Sequence, residues 1–130
     1  MAKHAVIPGN APTPIGPYSP GIVAPATGRT LYVSGQVAID PATQQFVAGD
    51  AAAQADQAIR NLQAVLEAAG GTLDDLVKTT IYLRDMADFP AVNAVYARYL
   101  SQPYPARATV AVSGLPRDAA VEIDGVAVIG

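Results

Sequence analysis

The sequence predicts an α+β domain, with one mixed sheet and two helices on one face. Three observations point there. A long segment carries apolar residues at helical spacing, and a second, shorter one follows a strand. β-Branched runs bounded by turn residues flank both. The order of strands, helix, strand, helix, strands matches a split βαβ pattern.

Taken in order, residues 7–21, "IPGNAPTPIGPYSPG", are rich in proline and glycine and read as a shaped loop. Ile15, Tyr18 and Ile22 give that loop apolar anchors, so it is expected to pack on the body. A strand is predicted from about Thr30 to Ile39, between turn signals at Thr27–Gly28 and Asp40–Pro41. Gly35 inside it suggests a bulge or a close approach by another group.

Residues 51–69 are the clearest helix. Ala55, Ile59, Leu62, Leu66 and Ala69 lie on one face, Asp50 is a good N-cap and Gly70 a good stop. "LVKTTIYL" (76–83) reads as a strand. A second helix is expected to begin at an Asp88 cap, with Pro90 in its first turn and Phe89, Val92, Tyr96, Tyr99 and Leu100 on its apolar side. Strands at Arg107–Val112 and Val121–Ile129 close the chain.

Two helices cover only one face of such a sheet. Yet "ATVAV", "VAI" and "GVAVIG" are apolar at consecutive positions, as in strands buried on both sides. Another copy of the chain is the simplest cover, which predicts a homo-oligomer.

Composition narrows the chemistry. The chain has 130 residues, which fits one domain over 1–130, and 51% of them are apolar. Net charge is −3, against the basic face that nucleic acid requires. No cysteine is present, so disulfides, thiolate catalysis and thiolate metal sites are excluded. His4 is the only histidine, which leaves little material for a histidine triad or a metal site. Asp74–Asp75 is the only adjacent acidic pair and reads as a solvated turn. The opening "MAKHAVIPGN" has no apolar signal-peptide core, and no window reaches the roughly 18 consecutive apolar residues of a membrane span. A cytoplasmic location without membrane partners is expected.

Two charged residues stand in apolar surroundings: Arg107 in "PARATVAV" and Glu122 in "AVEIDGVAV". They are expected on neighbouring strands joined by "SGLPRDAA". Two readings are open. They form a structural ion pair, or Arg107 offers its planar fork to a ligand carboxylate. Tyr18 either packs or caps such a pocket. Ser34 and Gly35 can present a hydroxyl and a close-approaching N–H, and Asn93 lies on the second helix. No serine has a base beside it that would make it a nucleophile.

"NAPTPIGPYSPG", "LYVSGQVAIDPATQ", "GGTLDDLVKTTIYLRDMADFPAVNAVY" and "YPARATVAVSGLPRDAAVEID" together resemble the Rid family, the reactive intermediate deaminases, also labelled translation inhibitors and L-PSP endoribonucleases. The resemblance covers nearly the whole chain, in order. It implies a chorismate-mutase-like α+β fold and a homotrimer with sheets inward, helices outward and ligand clefts between subunits. It implies hydrolysis of enamines and imines of small 2-keto acids, such as 2-aminoacrylate and 2-iminobutanoate, with no metal or organic cofactor.

By the same resemblance Arg107 binds the carboxylate, and Glu122 stands near the arginine and the attacking water. Tyr18, Ser34, Gly35 and Asn93 line the pocket. Many members have a cysteine two residues after the arginine. Thr109 stands there in this chain, and its backbone N–H is expected to bind ligand. The alternatives are a deaminase for a larger enamine acid such as 2-aminomuconate, and a non-catalytic ligand-binding or chaperone-like trimer. A ribonuclease reading is disfavoured by the charge and the single histidine.

Overall fold

A computed structural model describes residues 2–130. Its centre is a four-stranded mixed sheet of β3 (Arg29–Gln36), β8 (Val121–Ile129), β6 (Leu76–Leu83) and β7 (Ala106–Ala111), in that spatial order. β8 runs antiparallel to both β3 and β6, and β7 runs parallel to β6. A parallel pair needs a crossover, and helix α2 (Phe89–Tyr99) supplies it.

The N-terminal segment is more ordered than a shaped loop. β1 (His4–Val6) pairs antiparallel with β2 (Gly21–Val23), and the proline-rich stretch closes this small ribbon. Tyr18 and Ile22 pack in half-buried positions, but Ile15 is 94% exposed, against expectation. The β1–β2 pairing and Ser19 already hold the loop, so its tip projects. Ser19 N donates to the Pro105 carbonyl at 3.2 Å, and its hydroxyl donates to the Tyr104 carbonyl at 2.5 Å.

The strand expected at 30–39 breaks after Gln36 and resumes as β4 (Ile39–Asp40), paired with β5 (Gln45–Phe46). Asn61 causes the break. Its Nδ2 donates to the carbonyls of Val37 (3.1 Å) and Ile39 (2.9 Å), drawing both away from the sheet.

Helix α1 (Ala51–Ala68) has the expected ends. Asp50 Oδ1 accepts from Ala53 N at 3.0 Å, and Gly70 takes φ +88, which a side chain rarely adopts. The Asp74–Asp75 pair lies in a 3₁₀ turn that Thr72 and Asp75 cap reciprocally. The second helix starts differently from expectation. Asp88 makes no side-chain cap; a 3₁₀ turn at 86–88 precedes α2, and Asp85 caps that turn through Ala87 N at 2.9 Å.

One core joins Ile59, Leu62 and Leu66 of α1, Val92 and Tyr96 of α2, and Ile81, Leu83, Val121, Ile123 and Ala127 of the sheet. Registers place Thr79, Ile81 and Leu83 opposite Gly125, Ile123 and Val121, so these side chains share the helix-covered face. Lys78, Thr80, Tyr82, Glu122, Asp124 and Val126 share the other. Among the described residues no helix covers that face; Tyr32 there is 77% exposed and Val110 41%. Among the described residues, no helix is long and apolar enough to cross a membrane.

Candidate active site

Arg107 opens β7 in register with Thr79, so its side chain rises on the helix-covered face. α2 passes over it with Phe89, Asn93 and Tyr96 at i, i+4 and i+7, one stripe of the helix. The Pro-rich loop closes from the side. A bridge between Ser19 and Ala106 ties the loop to the start of β7 and sets Tyr18 beside the arginine.

The guanidinium carbon lies 5.1 Å from the ring centre of Tyr96, 5.4 Å from that of Tyr18 and 5.8 Å from that of Phe89. Three aromatic faces hold the cation by quadrupole attraction without consuming its N–H groups. Arg107 Nη1 donates to Asn93 Oδ1 at 2.8 Å. Tyr96 is itself fixed from below, its hydroxyl 2.8 Å from the Thr79 hydroxyl. Burial raises the Tyr96 phenol above its usual range, opposed by the Thr79 hydrogen bond and by Arg107.

The arginine has no carboxylate. Among the described residues the ion pairs are Arg60–Asp56 and Arg84–Asp118. Burial pushes the Arg107 guanidinium below its ordinary value, opposed by Tyr96 and Tyr18. A half-desolvated cation with free donors is an incomplete arrangement that an anion completes. The space for one is a cavity of about 280 Å³ lined by Ile15, Tyr18, Phe89, Asn93, Arg107 and Thr109.

The structure therefore brings Tyr18, Asn93, Arg107 and Thr109 together. Gly35 and Glu122 meet elsewhere, with Ser34 beside Gly35 on β3. Expecting Arg107 and Glu122 on neighbouring strands was wrong: β6 lies between β7 and β8, and the two side chains take opposite faces. The arginine's partner is the neutral Asn93. Glu122 instead packs on Gly35, where a Cβ would collide with the carboxylate and with Cδ and Cγ. The register of β3 shifts between Val33 and Gln36, so Gly35 is both bulge and close approach.

Phe89 and Tyr96 were legible in the sequence as helix packing but not as walls of the arginine's cavity. Their spacing with Asn93 was the available signal.

The family model described as Endoribonuclease L-PSP matches residues 8–129. A RutC family protein from Pyrococcus horikoshii is 47% identical over 125 residues, covering 96% of this chain and 97% of its own. The human 2-iminobutanoate/2-iminopropanoate deaminase is 39% identical over 130 residues, covering 100% of this chain and 93% of its own. A solved structure of a Rid family protein of unknown function from Yersinia pestis superposes with a TM-score of 0.75 at 43% identity, covering 98% of this chain and 100% of its own. The chain thus belongs to the L-PSP endoribonuclease family, the Rid family whose motifs it carries.

Proposed function

We propose that this chain is an enamine/imine deaminase, hydrolysing small 2-aminoacrylate- or 2-iminobutanoate-type carboxylates to the 2-oxo acid and ammonia. The carrying observation is the half-buried Arg107, aromatic-caged, held by Asn93 and without a carboxylate, at the wall of a small cavity. A family relative named for this activity supports it.

The chemistry asks little of a nucleophile. The enamine tautomerises to the imine, water adds to C2 as a proton goes to nitrogen, and the carbinolamine loses its hydroxyl proton and expels ammonia. Orientation and charge placement are what a protein adds. Arg107 grips the substrate carboxylate through donors not given to Asn93. The backbone at Thr109 lies along the ligand, and Tyr18 walls it.

Among the described residues, none that lines the arginine's cavity is a carboxylate or an imidazole able to serve as base for the water. Glu122 is the candidate, and it faces the uncovered side. A homotrimer with intersubunit sites, packed through that side, brings Glu122 of the partner subunit to the cavity. The exposed Tyr32 and Val110 support this assembly. The endoribonuclease description draws no support from these residues: the single histidine, His4, is exposed on β1, and net charge is −3.

The test generates 2-iminobutanoate in situ with a PLP-dependent dehydratase and traps it with semicarbazide. The protein should lower adduct formation, and Arg107→Ala should not. Equal adduct with and without wild type, across small and larger enamine acids, overturns the deaminase reading.

A further inference from the structure

Thr109 Oγ1 is, among the described residues, the one buried side-chain oxygen or nitrogen without a hydrogen-bond partner. It sits two residues after Arg107 on the same strand, so both side chains take the same face, and Thr109 lines the arginine's cavity. A hydroxyl closed from water and unpartnered is costly, and native structures rarely keep one without a use.

Apart from the Tyr18 phenol, the other polar groups of the cavity leave a gap. Arg107 carries only donors. Asn93 Oδ1 is taken by Arg107. An imine or enamine carboxylate presents more than its carboxylate: C2 bears nitrogen in the substrate and oxygen in the product. The nitrogen offers N–H to an acceptor, and the product oxygen needs a donor. A hydroxyl serves both by rotating its proton. Thr109 lines the cavity, and its side chain has other staggered χ1 positions open to a ligand-bound state.

We propose that the Thr109 hydroxyl recognises the heteroatom on C2 of the ligand whose carboxylate Arg107 holds, so that it is a specificity-determining residue. This rests on the carboxylate-binding reading of Arg107 and assigns the side chain, beyond the backbone of residue 109, a role of its own.

The test compares two acids of one carbon skeleton, 2-oxobutanoate and butanoate, by titration calorimetry on the whole protein. Wild type should prefer 2-oxobutanoate. Thr109→Val keeps the shape and removes the hydroxyl. It should weaken 2-oxobutanoate roughly fivefold, leave butanoate unchanged and not lower the melting temperature. Thr109→Ser should restore the preference. An undiminished preference in Thr109→Val, equal weakening of both acids, or no preference in wild type overturns the proposal. Arg107→Ala reports on the underlying reading separately: it should lose both acids alike. If wild type binds neither acid, the carboxylate reading and this proposal fall together.

Discussion

Arg107 and Glu122 stand on opposite faces of one sheet, with β6 between their strands. On the proposed reading, one copy of the chain holds the anion-binding half of the candidate site and displays the acidic half on another surface. A second copy is the economical way to join them, which makes assembly and activity a single question.

Assembly comes first. Sedimentation of the wild type should give a trimer. Replacing the exposed Tyr32 by lysine should shift it toward monomer and lower imine hydrolysis at least about tenfold, since a charge forced into an interface is poorly tolerated. A fully active monomeric wild type would refute the shared site.

Removing the fork should cost orientation as well as binding. Arg107→Lys keeps the charge but loses the planar donors and should lower kcat/KM by about tenfold to a hundredfold, from the roughly 1.5–3 kcal/mol of a charged hydrogen bond. Semicarbazide trapping reads it. Wild-type rates in the lysine variant would show that charge alone suffices.

Asn93 should be a balance point between stability and binding. Asn93→Asp places a carboxylate where Arg107 Nη1 now meets Oδ1. The melting temperature should rise, because the half-buried cation gains a counter-ion. Affinity for 2-oxobutanoate should fall at least about tenfold, because the internal carboxylate competes for the donors. A rise in both quantities would contradict the incomplete-arginine argument.

Gly35 and Glu122 should be energetically coupled. Gly35→Ala sets a methyl group against the Glu122 side chain and should destabilise by about 1–3 kcal/mol. Adding Glu122→Ala should recover much of that loss, and urea denaturation of the four proteins gives the coupling. Additive losses would mean that the two side chains do not share the space.

Alkaline stability should report the Tyr96–Thr79 pair. Burial raises the native Tyr96 phenol, while in the unfolded chain it ionises near its ordinary value of about 10. The native state then holds the proton longer, so this contribution is complete below about pH 10 and is lost as pH rises to the native value. Tyr96→Phe should flatten that fall. At neutral pH it should cost about 1–3 kcal/mol by leaving the buried Thr79 hydroxyl unpaired, and denaturant melts across pH 7–11 measure both. A fall of unchanged slope would assign alkaline loss to other groups.

Much of the site was legible because its signals are local. The charge of Arg107 in an apolar strand is visible in a few residues, as is the glycine at 35 that meets Glu122, whereas Thr109 was singled out only through the family resemblance. The N-terminal ribbon was not: His4–Val6 and Gly21–Val23 are three residues each and become strands only by pairing across the proline-rich stretch. The break after Gln36 was hidden for a similar reason, since Asn61, more than twenty residues on, takes the carbonyls that the strand would have used.

The amino-acid sequence by itself determined the two helices, the four long strands and the residue types available for chemistry, because periodicity, caps and turn residues act over one or two turns of chain. Only the tertiary structure decided the strand order, and with it the partner of each charge. Insertion of β6 between β7 and β8 is a choice among non-local pairings, made by burial of the α1 and α2 faces against one side of the sheet. That packing gave Arg107 an asparagine and three aromatic rings in place of the glutamate, and left both the arginine and the Thr109 hydroxyl without the partner a ligand would supply.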